Sequence, residues 1–86
     1  MKQYKINKGF ITQKLDDKTV IFDGEESVLY TFNETASFIF HKLKFGWEEE
    51  RIVDALVKKY AIKPAKAYSD LKYLLTDLRQ KNIIKW

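Results

Sequence analysis

A change from strand-type to helix-type spacing at Asn33 divides this chain into two halves. Residues 28–32, just before it, are β-branched, aromatic or apolar, which are the types that suit a pleated surface. From Ala36 onward the apolar residues recur at helical intervals instead. Asn33 itself is a good helix N-cap, because its side-chain oxygen can accept from an unpaired amide of the first turn. The sequence therefore predicts strands before this position and helices after it.

Three short strands are predicted ahead of Asn33, after an extended lead-in over residues 4–8. They cover residues 10–15, 19–22 and 27–32, and polar turns at 16–18 and 23–26 join them. The second turn begins with Asp-Gly, a strong hairpin signal, so the three strands form an antiparallel meander. Ile11 and Leu15 share one face of the first strand. In the third strand the face formed by Val28, Tyr30 and Phe32 is expected to point inward.

Three helices are predicted after Asn33. The first ends near Gly46, which can adopt the left-handed conformation that stops a helix. The second begins around residues 47–50, where three carboxylates complement the positive helix N-terminus. The third runs from Pro64, which suits a first helical turn, to about Lys81, and Asn82 provides its left-handed stop. Ile83, Ile84 and Trp86 then close the chain as an apolar tail.

The third helix has a clear core stripe with a different flank on each side. At about 100° per residue the stripe consists of Ala67, Leu71, Leu74 and Leu78. One flank carries Tyr68 and Leu75, with Lys72 and Arg79 beyond them, and the other carries Asp70, Tyr73 and Asp77. In the first helix Phe38 and His41 lie off the apolar stripe, so both are expected to be exposed to solvent.

Composition excludes several classes of function. A chain of 86 residues suits a single domain, 1–86, with a small core. It has no Cys and one His, so it can form neither a disulfide nor a thiolate or His-rich metal site. No catalytic motif is present, and the carboxylates at 48–50 are expected to be a solvated helix start. No apolar run approaches the ~20 residues of a membrane span, and no signal peptide is apparent. We expect a cytoplasmic protein that is not an enzyme, has no cofactor and does not bind a membrane.

Two kinds of binding protein remain, and the net charge of +4 is compatible with either. A winged-helix DNA-binding protein is one. However, a wing hairpin normally follows the recognition helix, whereas only residues 82–86 follow the third helix here, and Asp70 and Asp77 would face phosphates poorly. Peptide capture by strand addition is the other, because the third strand ends the meander and can have a free edge. From the pattern alone, Tyr68 and Leu75 either line such a peptide groove or widen the core.

Several segments, in order, resemble the PqqD-like proteins. Residues 27–36 (SVLYTFNETA) resemble the family's strand-to-helix junction, and residues 49–56 (EERIVDAL) resemble its second helix. Residues 67–78 (AYSDLKYLLTDL) are similar to the third helix, and residues 82–84 (NII) to the closing segment. The match covers nearly the whole chain. It departs from the family's usual Leu, Trp and Gly at Phe32, Phe40 and Asn82, and each replacement keeps the physical role.

This resemblance implies a recognition element of ribosomally synthesised and post-translationally modified peptides (RiPPs). Such a domain has an α+β fold similar to a winged helix-turn-helix, with a three-stranded antiparallel sheet placed before three helices. The leader segment of a precursor peptide adds as a strand against the third strand and packs along the third helix. The domain presents it to a modifying enzyme, often a radical SAM protein, and neither nucleic acid nor a membrane is a partner.

The resemblance and the free strand edge together predict the peptide-binding residues. They are Ser27, Val28, Leu29, Tyr30, Thr31, Tyr68, Leu71, Lys72, Leu75 and Arg79. Lys72 and Arg79 would suit acidic leader residues. Phe38, Phe45 and Trp47 either contact the enzyme or, as we favour, cover the edge of the core.

Overall fold

Five strands and three helices make up the described part of the chain. The computed structural model describes residues 4–16 and 18–85. The elements are β1 (Lys5–Ile6), β2 (Phe10–Leu15), β3 (Lys18–Asp23), β4 (Val28–Phe32), α1 (Glu34–Lys44), α2 (Glu49–Tyr60), α3 (Pro64–Gln80) and β5 (Ile84–Lys85). The predicted α+β fold, a three-stranded antiparallel sheet followed by three helices, is confirmed in β2–β4 and α1–α3. The first and last strands of the chain, β1 and β5, were not predicted as strands.

The main sheet has the strand order β2-β3-β4, and both pairs are antiparallel. In the second pair Thr19 lies opposite Phe32 and Asp23 lies opposite Val28. The turn between these strands covers residues 24–27, one residue later than predicted, because Asp23 is the last residue of β3; its carboxylate accepts from the amides of Glu25 and Glu26 at 3.0 and 3.1 Å. The first predicted turn includes Asp17, which lies outside the described residues. The order leaves β4 at one edge of the sheet.

The two faces of the sheet differ in burial as strand alternation requires. On the inner face Phe32 is buried and Tyr30 is half-buried, as predicted, whereas Val28, next to the turn, is exposed. On the outer face Ile11, Phe22 and Leu29 lie directly opposite one another across the three strands, and all three are exposed. The sheet therefore covers the helices with one face and presents an apolar row on the other.

The predicted helix caps of α1 are confirmed. Asn33 precedes the helix, and its Oδ1 accepts from the amide of Ala36 at 2.9 Å. At the other end Gly46 has a φ of +84°, its amide donates to Leu43 O at 3.0 Å, and the amide of Trp47 donates to Lys42 O at 3.1 Å. These two bonds form a Schellman motif, which satisfies carbonyls that the helix end would leave unpaired.

The end of α3 repeats this motif with Asn82 in place of glycine. Asn82 has a φ of +58° and its amide donates to Arg79 O at 3.0 Å, while the amide of Ile83 donates to Leu78 O at 2.9 Å. The predicted left-handed stop at Asn82 is thus confirmed. It turns the chain so that β5 pairs antiparallel with β1, with Ile6 opposite Ile84. Residues of the predicted lead-in and apolar tail therefore form a short two-stranded sheet, and Trp86 of that tail lies outside the described residues.

The core lies between the inner face of the sheet and the three helices. The predicted stripe of α3 is confirmed, because Ala67, Leu71, Leu74 and Leu78 are all buried. The rings of Phe32 and Phe40 pack edge to face with their centroids 5.6 Å apart, which ties β4 to α1. The other buried apolar residues are Tyr4, Ile21, Ile39, Leu43, Ile52, Leu56, Leu75, Ile83 and Ile84.

Phe38 departs from its expected exposure. It is half-buried and packs edge to face against Tyr60 of α2, with 6.1 Å between the ring centroids. Trp47 is also half-buried against the core, so both residues cover its edge, as favoured from the sequence. Phe45 is 78% exposed. Of the two expectations for Phe38, exposure to solvent was wrong and coverage of the core edge is what the structure shows, because Tyr60 of α2 packs on that side of α1.

Candidate functional site

An open groove separates the edge strand β4 from α3. Its volume is about 370 Å³. The β4 end and its cap contribute Thr31, Phe32 and Asn33, α1 contributes Thr35, Ala36 and Ile39, and α3 contributes Lys66, Asp70, Tyr73, Leu74 and Asp77. In the described part of the chain β4 hydrogen bonds to β3 alone within its sheet. Alternate backbone amides and carbonyls of an edge strand point away from its neighbour, so β4 offers them on the groove side.

The floor of the groove is apolar. Phe32, Ile39 and Leu74 reach it from β4, α1 and α3 and are otherwise buried in the core. Tyr73 lies beside this floor on α3 and is 78% exposed. An apolar side chain placed in the groove would therefore contact core residues beneath it and an aromatic ring beside it.

The α3 wall of the groove carries two ion pairs at helical spacing. Lys66 binds Asp70 at 3.3 Å, and Lys81 binds Asp77. Lys81 also lies over the ring of Tyr30 in β4, with its Nζ 5.4 Å from the ring centroid. The wall thus presents both signs of charge on the two sides of Tyr73, and at Lys81 it reaches across to the middle of β4.

The structure brings together the predicted site residues of the strand. Val28, Leu29, Tyr30 and Thr31 form most of β4, and Ser27 immediately precedes it with a φ of +55°. Leu29 and Thr31 are exposed, and Tyr30 is half-buried. Thr31 lines the groove, and the other four residues lie along the chain just before it.

The predicted site residues of α3 do not join them. Leu71 is fully buried and Leu75 is 5% exposed, so both belong to the core. Lys72 contacts α2, with its Nζ 2.7 Å from Glu49 Oε1, and Tyr68 lies under Lys72 at 5.2 Å. The groove instead uses the opposite flank of α3, the one that bears Asp70, Tyr73 and Asp77. A core stripe has two flanks, and its periodicity does not specify which one β4 approaches.

On the Lys72 flank of α3, Glu49 of α2 connects Lys72 to other parts of the chain. Its carboxylate accepts from Lys72 through one oxygen and from the Tyr4 hydroxyl through the other, at 2.6 Å. Burial and this hydrogen bond raise the pKa of Tyr4 well above its ordinary value, and the same carboxylate raises the pKa of Lys72. Arg79 lies on this flank too, since its charge acts on Tyr4. The cluster fixes the N-terminal segment to α2 and α3.

His41 was expected to be solvated, and that expectation was wrong. Its Nε2 lies 2.9 Å from Thr19 Oγ1, and the Thr19 hydroxyl also shares a hydrogen bond with Ser37 Oγ. The sequence did place Ser37 and His41 one helical turn apart, but the contact requires β3 to cross α1. The hydrogen bond that His41 makes among the described residues is to Thr19.

Neither a metal site nor a membrane span is found in residues 4–16 and 18–85. No group of three or more His, Asp or Glu side chains there could hold a metal ion. No helix in that part of the chain is long and apolar enough to cross a membrane.

Comparison with known proteins identifies the family. The family model for PqqD, coenzyme PQQ synthesis protein D, matches residues 18–84, most of the chain. The chain belongs to the PqqD family. No curated protein matches it.

Two solved structures share the fold of this PqqD-family chain. One is TbiB1 in complex with the TbiA(beta) leader peptide, with 25% sequence identity, a TM-score of 0.85 and 94% of each chain covered. The other is lasso peptide synthetase B1 complexed with the leader peptide, with 20% identity and a TM-score of 0.91. That alignment covers 99% of this chain and all of the other.

Proposed function

We propose that this PqqD-family chain binds the leader segment of a ribosomally made precursor peptide and presents it to a modifying enzyme. The free edge of β4, facing α3 across an apolar-floored groove, is the observation that carries the proposal. The chain acts as a non-catalytic binding protein, in the cytoplasm where the precursor is translated. Its enzyme partner is of the class that modifies such peptides, for example a radical SAM protein.

The backbone of the leader supplies most of the affinity by adding as a strand to β4. Five residues of β4 give an edge of about 17 Å at about 3.3 Å per residue, enough to order a short extended segment. Main-chain hydrogen bonds of this kind bind a strand without regard to its side chains. Ser27, Val28, Leu29, Tyr30 and Thr31 are therefore kept as proposed peptide-binding residues.

The groove supplies the selectivity. Because side chains of a strand alternate, every second leader residue would point toward α3. One apolar residue would cover Phe32 and Leu74 and pack against Tyr73. Its neighbours on that side would meet Asp70 and Asp77, each already paired with a lysine. We therefore propose that Tyr73, Asp70 and Asp77, rather than Tyr68, Lys72, Leu75 and Arg79, read the leader.

The comparisons support this proposal through proteins of the same fold. TbiB1 and lasso peptide synthetase B1 were each solved with a leader peptide, and TbiB1 is the more similar in sequence. A winged-helix DNA-binding protein has less support, because the lysines on the groove side of α3 are neutralised by Asp70 and Asp77. Phosphate contacts need free cations.

Anisotropy titration of a labelled leader tests the proposal. Short open reading frames next to the gene are the source from which the leader is sought, and the tested variant is Tyr73→Ala. Truncation of a good contact residue costs about 1–2 kcal/mol of binding free energy. Tyr73→Ala should therefore weaken binding by roughly 5- to 30-fold. Tyr68→Ala is the matched control, since Tyr68 is also an exposed tyrosine of α3 but lies on the other flank, and it should leave affinity unchanged.

Salt dependence and thermal melts complete the test. Leader affinity should persist at higher salt, whereas binding carried by phosphate contacts falls steeply. The melt of Tyr73→Ala should match the parent, because that side chain is 78% exposed, and Tyr68→Ala should melt only slightly below it, because Tyr68 is half exposed. Equal affinity of the parent and Tyr73→Ala, with weaker binding by Tyr68→Ala, would place the peptide on the Lys72 flank. Tight, sequence-specific binding of duplex DNA would overturn the proposal.

A further inference from the structure

A second surface, on α1 and α2, stacks cations on aromatic rings in alternation. Lys42 Nζ lies 5.1 Å from the ring centroid of Phe38 and 4.6 Å from that of Trp47. The guanidinium of Arg51 covers Trp47 at 3.7 Å, and Lys59 lies 5.6 Å from the rings of both Phe38 and Tyr60. We call this set the cation–aromatic ladder. Its members are Arg51, Trp47, Lys42, Phe38, Lys59 and Tyr60.

The cations of the ladder have no carboxylate partners within the described residues. By contrast Lys66 and Lys72 of α3, and Lys81 just after it, each bind an Asp or Glu. An aromatic ring attracts a cation through its quadrupole but carries no net charge, so the positive charge of the ladder is not cancelled. The chain has a net charge of +4, and Lys42, Arg51 and Lys59 are three cations of the described residues that form no ion pair with an acid.

A pocket of about 230 Å³ opens at one end of the ladder. Phe38 and Tyr60 form its apolar walls, and Lys14, Lys42 and Lys59 surround its mouth. Two acids also line it, Asp16 and Glu34, and Glu34 accepts from the Tyr60 hydroxyl at 3.4 Å. Among the described residues that line the pocket, three cations accompany two acids around the two aromatic rings.

We propose that the ladder and this pocket dock an acidic segment of a second protein, with one apolar side chain in the pocket and carboxylates on Lys42, Arg51 and Lys59. That the second protein is the modifying enzyme rests on the proposed function. A nucleic acid fits less well, because the rings are half-buried and covered by the protein's own cations and so offer no free face for bases. The pocket shares no residue with the groove beside β4, so both can be occupied together.

An amide NMR titration with defined probes tests the docking surface. The probes are a short synthetic peptide of alternating Glu and Leu, the same peptide with Gln for Glu, and a single-stranded DNA oligonucleotide of similar charge. The Glu peptide should shift the amides around Phe38, Lys42, Arg51 and Lys59, and the Gln peptide should not. Shifts spread over lysines elsewhere would mean unspecific attraction, and tighter binding of the oligonucleotide would assign the surface to nucleic acid. Either result would overturn the proposal.

Charge variants locate the effect. Lys59→Glu should weaken the Glu peptide about tenfold or more, whereas Lys58→Glu, the same change one residue earlier on α2, should change affinity less than about twofold. Lys42→Gln removes one ladder charge without reversing it and keeps much of the side-chain stem over the rings. It is included because the charge reversal in Lys59→Glu could also disturb folding. A Lys58→Glu effect equal to that of Lys59→Glu would contradict a specific site.

The same variants separate this inference from the proposed function. Leader binding at β4 should be unchanged in Lys59→Glu, because that residue lies outside the groove. If the parent binds the Glu peptide at the ladder but fails to bind the leader, the docking surface stands and the proposed function fails. If the leader binds and the Glu peptide does not, the proposed function stands and the docking surface fails.

Discussion

The imidazole of His41 joins α1 to β3, with its Nε2 atom 2.9 Å from the hydroxyl oxygen of Thr19. Thr19 is fully buried, and it also shares a hydrogen bond with the buried hydroxyl of Ser37. No buried side-chain nitrogen or oxygen of the described residues lacks a partner. A small core therefore accommodates polar groups at the sheet–helix contact because these groups hydrogen bond to one another.

Thr19→Val should destabilise the protein by about 1–3 kcal/mol. The substitution keeps the shape but leaves the Ser37 hydroxyl buried without its partner, and that desolvation cost is not recovered. The double variant Thr19→Val with Ser37→Ala removes both hydroxyls and should recover part of the loss. Urea denaturation of the three proteins measures this. A single variant as stable as the parent would show that the Thr19–Ser37 contact contributes nothing.

His41 should make stability fall as the solution is acidified. Burial, followed by the charges of Lys44, Lys14 and Lys42, holds the pKa of His41 below its ordinary value of 6.5. As pH drops through that value the unfolded chain takes up the proton first, so the free energy of unfolding decreases. Above it both states are neutral and the full stability is present.

Thermal melts between about pH 5 and pH 8 test this with His41→Gln as the control, since glutamine does not titrate in that range. The groups around the ring are Thr19 of β3, Lys14 of β2, and Lys42 and Lys44 of α1. The parent should lose stability toward the acid end more steeply than the variant. Parallel curves would assign the pH dependence to other groups.

Local chemistry explains what could be predicted from the sequence. Asn33, Gly46 and Asn82 each mark a helix end through a cap that involves only neighbouring residues, and all three are found where predicted. The stripe of α3 follows from helical periodicity alone. The features that were missed depend on how distant segments meet, such as the contact of Thr19 with His41 and the pairing of Ile6 with Ile84.

The candidate site shows the same division between local and long-range information. The edge strand β4 could be predicted, because it ends the meander and precedes a helix cap. The flank of α3 beside it could not, because either flank of the core stripe is compatible with the pattern. Leu75, which was predicted to border the groove, is buried for that reason, whereas Tyr73 on the other flank is exposed beside it.

Leu75→Ala should cost about 2–5 kcal/mol of stability, in the same range as Leu71→Ala. Leu75 is 5% exposed and Leu71 is fully buried, so each truncation leaves a cavity among packed side chains. Tyr68→Ala, one turn before Leu71 on the same helix, should cost less because half of that side chain is exposed. Chemical denaturation compares the three variants. A loss for Leu75→Ala as small as that for Tyr68→Ala would place Leu75 at the surface.

Ala61→Gly should raise the stability of the protein. Ala61 ends α2 with a φ of +53°, a left-handed conformation that crowds its Cβ against the backbone, and its side chain is exposed. Glycine relieves that strain without removing a core contact, although it also gives the unfolded chain more freedom. The net increase in the free energy of unfolding should be about 0.5–1 kcal/mol.

Ala65→Gly provides the matched control for this gain. Ala65 is also exposed, but it lies inside the first turn of α3, where the conformation is right-handed and glycine is unfavourable by about 0.5–1 kcal/mol. The two variants should therefore shift the denaturation midpoint in opposite directions while the slope of the transition stays the same. A loss of stability in both would show that Ala61 does not hold the left-handed conformation in solution.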